Sequence, residues 1–154
     1  MANILPVITL YQPWATWIMR EWKTIETRTH NRFASLIHRT VLIHAGQRTD
    51  DSDLTVKNPY LTKEQICFNP DEVINGAILG SVYIDACGWL CGDNYENKSA
   101  LIETTNRYGL FLKDAKRFDE PLYVKGEMGI WYYDLDAKQK VKKPITNAGQ
   151  EILF

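Results

Sequence analysis

Three ionisable side chains crowd into one short segment, Lys23-Thr24-Ile25-Glu26-Thr27-Arg28. The segment is rich in Thr and Ile, so a strand is expected over 23–29. Alternation along a strand puts Thr24, Glu26 and Arg28 on one side and Ile25 and Thr27 on the other. A carboxylate beside a guanidinium stays ionised, and each holds the other in place. Lys23, where the strand begins, can lean over the same side. Donors and an acceptor so grouped match the edge of a nucleobase: Glu26 accepts from an amine, and Arg28 or Lys23 donates to a carbonyl or phosphate. The same set could do acid–base chemistry, with Lys23 and Glu26 as candidate catalytic residues and Arg28 steadying an oxyanion. Neighbouring carboxylates favour the ammonium form of a lysine, which leaves Glu26 as the base in that case. The bland alternative is a structural ion pair.

Other candidates surround this segment. Trp14 offers a stacking face and Gln12 a polar contact. Tyr108, far along the chain, is a second stacking candidate. His44 lies in the apolar run Val41-Leu42-Ile43-His44, where a satisfied core histidine is the expectation. No metal ligands are proposed. Cys87 and Cys91 are spaced C-x3-C with no second pair after them, and His30, His38 and His44 all lie upstream. An odd count of three cysteines argues for reduced thiols rather than a disulfide framework. No cofactor is implied, and neither a glycine-rich phosphate loop nor a Ser-His-Asp or Cys-His arrangement is suggested.

The elements expected to position these residues are short. A strand over 7–11 ends at Gln12-Pro13. A helix over 13–22 follows, with a Trp14/Trp17/Ile18 stripe. Further strands are expected over 39–45, 77–86, 108–112, 122–125 and 130–134, with a loop over 46–59. On the strand over 77–86, Ile78, Gly80, Val82 and Ile84 share a face. Thr62 caps a helix over 63–68, with Gln65 completing a capping box. Asn75-Gly76 marks a turn, and helix is expected around 100–105. Gly126 and Gly129 bracket a bend. The basic stretch 137–143 reads as mobile, and the end of the chain as docking back on the body. The fold class is therefore α+β, mainly β, with a closed or partly open sheet.

Bulk properties set limits. The chain has 154 residues, enough for one core, and a net charge of −1. Residues 20–48 carry six basic against two acidic side chains, while 49–154 carry 12 against 17. A local basic face is therefore compatible with a nearly neutral chain. The first ten residues lack the features of a secretory signal, and no apolar run is long enough to span a membrane. A cytoplasmic location is expected. Oligomeric state is not readable from the sequence.

Several blocks recur in order along residues 7–133. They are Ile8-Thr9-Leu10-Tyr11-Gln12-Pro13-Trp14-Ala15, then Lys23 to Arg28, Leu42-Ile43-His44-Ala45 and Gly76-Ala77-Ile78-Leu79-Gly80. Tyr108-Gly109-Leu110-Phe111-Leu112, Arg117-Phe118-Asp119-Glu120-Pro121 and Lys125-Gly126-Glu127-Met128-Gly129-Ile130-Trp131 follow. The series resembles ASCH-domain proteins of bacterial and phage type. The resemblance implies a PUA-like β-barrel of about six strands over 1–135, with 136–154 as a C-terminal extension. It also implies a cleft near the first helix that binds RNA or a modified nucleoside or nucleotide. Some family members resemble amidohydrolases that remove the acetyl group of N4-acetylcytidine, using a Lys, a Thr three residues later and a downstream Glu. The Lys position matches Lys23, but Glu26 stands where the Thr is expected. Binding is accordingly the leading expectation, with amide hydrolysis as one alternative. Protein interaction through the acidic loop 49–56 is another.

Overall fold

Apolar residues that alternate between two cores define the central strands. Val7 and Leu42 pack with Ile78, Trp131 and Tyr133 on one side, while Ile8 and Ile43 pack with Ile18, Val82, Ile84 and Leu110 on the other. Such alternation is what a sheet covered on both faces requires. The architecture is that of a computed structural model, which describes residues 3–49, 58–69 and 72–144.

Seven strands form one sheet: β1 (Ile4–Gln12), β2 (Ile25–Arg28), β3 (Thr40–Thr49), β4 (Ala77–Trp89), β5 (Tyr108–Tyr123), β6 (Trp131–Asp134) and β7 (Gln139–Val141). Their order is β2-β5-β4-β3-β1-β6-β7. Only β1 and β3 run parallel, with Val7 opposite Leu42 and Thr9 opposite His44. The expected closed or partly open barrel of about six strands is found as one open sheet of seven, not closed into a barrel. β2 and β7 are its edges, and among the described residues no pairing joins them. A helix lies against the β2 edge instead, where Thr24 N–H donates to Ser99 O at 2.9 Å. The fold class itself, mainly β with short helices, stands as read.

Local chemistry explains most element boundaries. Helix α1 (Trp14–Met19) starts after Pro13, and Trp17 N–H donates to Pro13 O at 2.9 Å. It stops short of the expected residue 22, because Glu21 takes a positive φ of 61° and turns the chain towards β2. Helix α2 (Lys63–Ile66) carries the expected capping box of Thr62 and Gln65. Helix α3 (Asn94–Ala100) lies just before the stretch around 100–105 where a helix was expected. A second capping box, Asp93 with Glu96, starts it, and Leu101 ends it in the left-handed region at φ 63°. The helix expected around 100–105 is absent for that reason. A 3-10 turn over Arg32–Leu36 was not anticipated.

Strands run longer than expected. β3 continues through Thr49 into the predicted loop, and β5 joins two predicted strands into one of 16 residues. β5 meets β2 only through Tyr108–Phe111, so its remainder is an edge paired to β4 alone. An edge tolerates the charges of 113–120 and Pro121, the residues that hide the strand in the sequence. Register shifts interrupt β4 against β5, one of them between Ile78 and Gly80. Ile78 consequently faces the core of Trp131, whereas Val82 and Ile84 face that of Ile18. The expected shared face is broken by this bulge. The stretch 139–141 pairs with β6 and is part of the sheet rather than mobile. The expected docking of 152–154, and most of the acidic loop 49–56, lie outside the described residues.

Gly80 shows how tightly α1 sits on the sheet. A Cβ there would lie 2.2 Å from Lys116 O and 2.6 Å from Met19 Sδ. The first contact is to backbone, which has no rotamer to relieve it. Gly80→Ala is expected to destabilise the protein by about 1–3 kcal/mol, the usual range for overpacking. A thermal melt equal to the parent's would show that the two strands separate more easily than this spacing implies.

A candidate binding cleft with a buried carboxylate

Strand β2 is held at the sheet edge by pairing Glu26 with Leu110 and Thr27 with Gly109. This register turns Glu26 into a cleft between β2, the 3-10 turn, β1, β3 and the segment 124–130. The cleft volume is about 1650 Å³. That exceeds the roughly 300–1,000 Å³ of a tight small-molecule pocket, and an extended groove describes it better.

Lys23 and Glu26 form the floor. They are 2% and 6% exposed, and Lys23 Nζ lies 4.0 Å from Glu26 Oε1. The Lys23 ammonium also donates to Ala100 O and sits 4.9 Å from the centroid of the Trp14 ring. Glu26 Oε1 accepts from Thr27 N–H at 2.8 Å. Glu26 Oε2 makes no hydrogen bond among the described residues, and its neighbouring cation, Arg28 Nη2, is 3.9 Å away. A buried carboxylate is costly unless its lone pairs are used. One oxygen of Glu26 thus remains as an acceptor at the cleft floor.

The predicted residues separate into two groups. Trp14, Lys23, Glu26 and Arg28 line the same cleft. Gln12 and Tyr108 do not. Gln12 is fully buried and braces the start of α1, accepting from Thr16 N–H at 3.0 Å and donating to Ile74 O at 2.7 Å. Tyr108 packs edge-on against Trp89 at 4.9 Å, away from the cleft. Trp14 is largely buried, with Lys23 over its ring and Trp17 at its edge. The aromatic that stands open in the cleft is Tyr11, 50% exposed, which sequence reading placed only as a strand end.

The local basic face expected over 20–48 supplies four of the cleft's cations, and two more come from outside it. The cleft is lined by six cations, Lys23, Arg28, Arg32, Arg48, Arg107 and Lys125, against Glu26 and Glu127. Glu127 is itself 3.7 Å from Lys140. The surplus of positive charge is local, in a chain whose net charge is −1. Arg107 Nε donates to Thr27 Oγ1 at 2.8 Å, which fixes one cation beside β2. The concentration of basic residues over 20–48 was the signal available for part of this. Arg107 and Lys125 gave none, because non-local pairing brings them in.

His44 closes one wall by a complete hydrogen-bond chain. Its Nε2 lies 2.8 Å from Val124 O and must donate, so Nδ1 accepts from Thr9 Oγ1 at 3.2 Å. Trp131 Nε1 in turn donates to Thr9 Oγ1 at 3.0 Å. Burial lowers the pKa of His44 most, with Lys140 adding to it and the Val124 hydrogen bond opposing. Unfolded, the ring titrates near its ordinary 6.5, so the unfolded chain binds a proton that the fold resists. The stabilising contribution of neutral His44 is complete above that value and is lost as pH falls below it. The thermal midpoint should therefore drop as pH falls below about 6.5, and less steeply in His44→Gln. His30 shifts in the same direction, so His30→Gln serves as the comparison. Identical pH profiles for the parent and His44→Gln would remove His44 as the source.

No known protein family's profile matches the chain, and no curated protein sequence is similar to it. Among solved structures, it is similar to ASCH from Zymomonas mobilis, at 18% identity and a TM-score of 0.45, over 75% of this chain and 71% of that one. Two single-residue variants of that protein are similar at 15% and 16% identity, each with a TM-score of 0.44 and covering 77% of this chain. They cover 74% and 73% of those chains. These similarities are distant, and no residue's role is carried from them.

Proposed function

We propose that this protein binds a nucleobase, presented by single-stranded RNA or by a nucleoside or nucleotide, in the cleft over Glu26. The observation that carries the reading is the buried carboxylate with an oxygen left to accept, held between Lys23 and Arg28. An ionised carboxylate accepts strongly from neutral N–H groups, such as the exocyclic amine and ring N–H of a base. The surplus of cations around it suits the phosphates that accompany bases. The open face of Tyr11 offers a stacking partner. Resemblance of the ordered sequence blocks to ASCH-domain proteins points the same way.

Hydrolysis of an acylated base has less support. Position 26 holds Glu rather than the Thr of the amidohydrolase pattern, and the Lys23 ammonium already serves Ala100 O and Glu26. Incubation with N4-acetylcytidine, followed by chromatography for cytidine, tests that alternative directly.

The binding reading is tested by titrating nucleosides and short single-stranded RNA into the protein at low salt, followed by calorimetry. Binding is expected for at least one base. For RNA that engages two or three phosphates, affinity should weaken about ten-fold between roughly 50 and 200 mM salt. No heat and no shift in melting temperature with any of them at low salt would remove the proposal.

A further inference from the structure

The guanidinium of Arg28 is engaged on one side only. Nη2 donates to Thr9 O at 3.3 Å and faces Glu26 Oε2 at 3.9 Å. Its Nε–H is buried and has no hydrogen-bond partner among the described residues. Trp17 Nε1 is the other such buried donor among the described residues, but it lies in the core, whereas Arg28 lines the cleft, where an acceptor from outside the chain can approach its guanidinium.

One further donor group, the His30 ring, meets Arg28 at one aromatic ring. Phe33 is buried under the cleft. The Arg28 guanidinium carbon lies 5.1 Å from its centroid, and the His30 ring meets it edge-on at 5.3 Å. Arg32 N–H donates to His30 Nδ1 at 3.2 Å, which in the neutral ring leaves the proton on Nε2. Burial, then the charges of Arg32 and Arg28, lowers the pKa of His30. The Arg32 side chain is exposed and, among the described residues, has no carboxylate within ion-pair distance. Arg28, His30 and Arg32 all line the cleft. Donors and positive charge therefore converge at the end of β2 with one carboxylate, Glu26, on their inner side.

We infer that Arg28, His30 and Arg32 form a subsite for the phosphoryl group of a nucleotide whose base lies on Glu26. The inference rests on the nucleobase reading above and extends it. It says that the ligand is phosphorylated and which residues hold the phosphate. Arginine presents two parallel N–H groups that match two oxygens of a phosphate, and Arg28 Nε is the unused member of such a fork. His30 Nε2–H and the Arg32 guanidinium add donors for the terminal oxygens of the phosphate, three in a monoester and two in a backbone diester. The shared chemistry is a phosphate ester. It reaches the site either as a free mononucleotide or as the backbone of single-stranded RNA.

The test compares the four nucleosides, their 5′-monophosphates and a short oligoribonucleotide by calorimetry, with the parent protein and with Arg28→Lys, His30→Ala and Arg32→Ala. Thermal melts confirm that each variant is folded. In the parent, a monophosphate or the oligonucleotide should bind about ten-fold or more tighter than the matching nucleoside. In Arg32→Ala and His30→Ala that ratio should shrink, and in the His30→Ala/Arg32→Ala double variant it should approach one. Arg28→Lys, which keeps the charge and loses the fork, should also shrink it. A gain for the oligonucleotide alone would identify the backbone as the source of the phosphate and support the subsite. Equal affinity for nucleosides, monophosphates and oligonucleotide would overturn the subsite and leave the base reading intact. A phosphate gain that survives in the His30→Ala/Arg32→Ala double variant and in Arg28→Lys would overturn the assignment to these residues. Binding of none of the probes would remove the base reading, and this inference with it.

Discussion

Lys23→Met is expected to destabilise the protein by about 3 kcal/mol, the lower end of the range for removing one partner of a buried ion pair. For a chain of this size that is a fall of roughly 6–12 °C in melting temperature. The physical cause is an uncompensated charge rather than lost packing. Methionine is close to lysine in length and needs little repacking, but the cation over the Trp14 ring is lost and Glu26 then keeps only Arg28 as a counter-charge, at 3.9 Å. Ala100 O also loses the ammonium as a donor. The lower end applies because Arg28 remains near the carboxylate. In the double variant Lys23→Met/Glu26→Gln both charges are gone, and much of the loss should be recovered. A melting temperature for Lys23→Met within about 1 °C of the parent would mean that the pair is solvated in solution, with neither charge truly buried.

Glu26→Gln should weaken nucleobase binding by about 10- to 100-fold. A hydrogen bond to a charged group contributes about 1.5–3 kcal/mol, and each 1.4 kcal/mol is a factor of ten. Glutamine is nearly the same shape and can still accept from Thr27 N–H, so the cleft geometry is retained. What changes is Oε2. With the amide oxygen kept on Thr27 N–H, the Oε2 position becomes an amine, which repels the donor edge of a base. This single change also strips Lys23 of its carboxylate, and a loss of stability alone could mimic a loss of binding. The double variant separates the two, since stability should return towards the parent while binding does not. Parent-like affinity in Glu26→Gln, measured on protein shown to be folded, would take Glu26 out of the site.

What could be read in the sequence was what depends on near neighbours. Alternation on β2 put Glu26 and Arg28 on one side, and their side chains do approach each other. The Thr62/Gln65 capping box was readable because it is a four-residue pattern, and the equivalent Asp93/Glu96 box should have been read in the same way. Gln12 was misplaced because its polarity suggested a contact with ligand, whereas it satisfies the first turn of α1 and Ile74 O from within. Tyr11, Arg107 and Lys125 reach the cleft from β1, from the approach to β5 and from the segment before β6. Only the pairing of distant strands brings them together, and no local pattern encodes that. The bulge at Ile78/Gly80 moves Ile78 to the other core in the same unannounced way.

The position of β2 at the edge of the sheet has a consequence for motion. The strand has four residues and one paired neighbour, and that neighbour is bound to β4 beyond it. Opening of β2 need not disturb the β1–β3–β4 centre, so its amide hydrogens are expected to exchange at a lower free energy than those of the centre, with the packing of Ile25 on Leu90 and Ala100 as the main resistance. A ligand bridging Glu26 on β2 to groups on β1 or β3 would clasp that edge shut. Amide protons of residues 25–28 should then slow their exchange on binding well before those of β3 do, giving a residue-level record of occupancy.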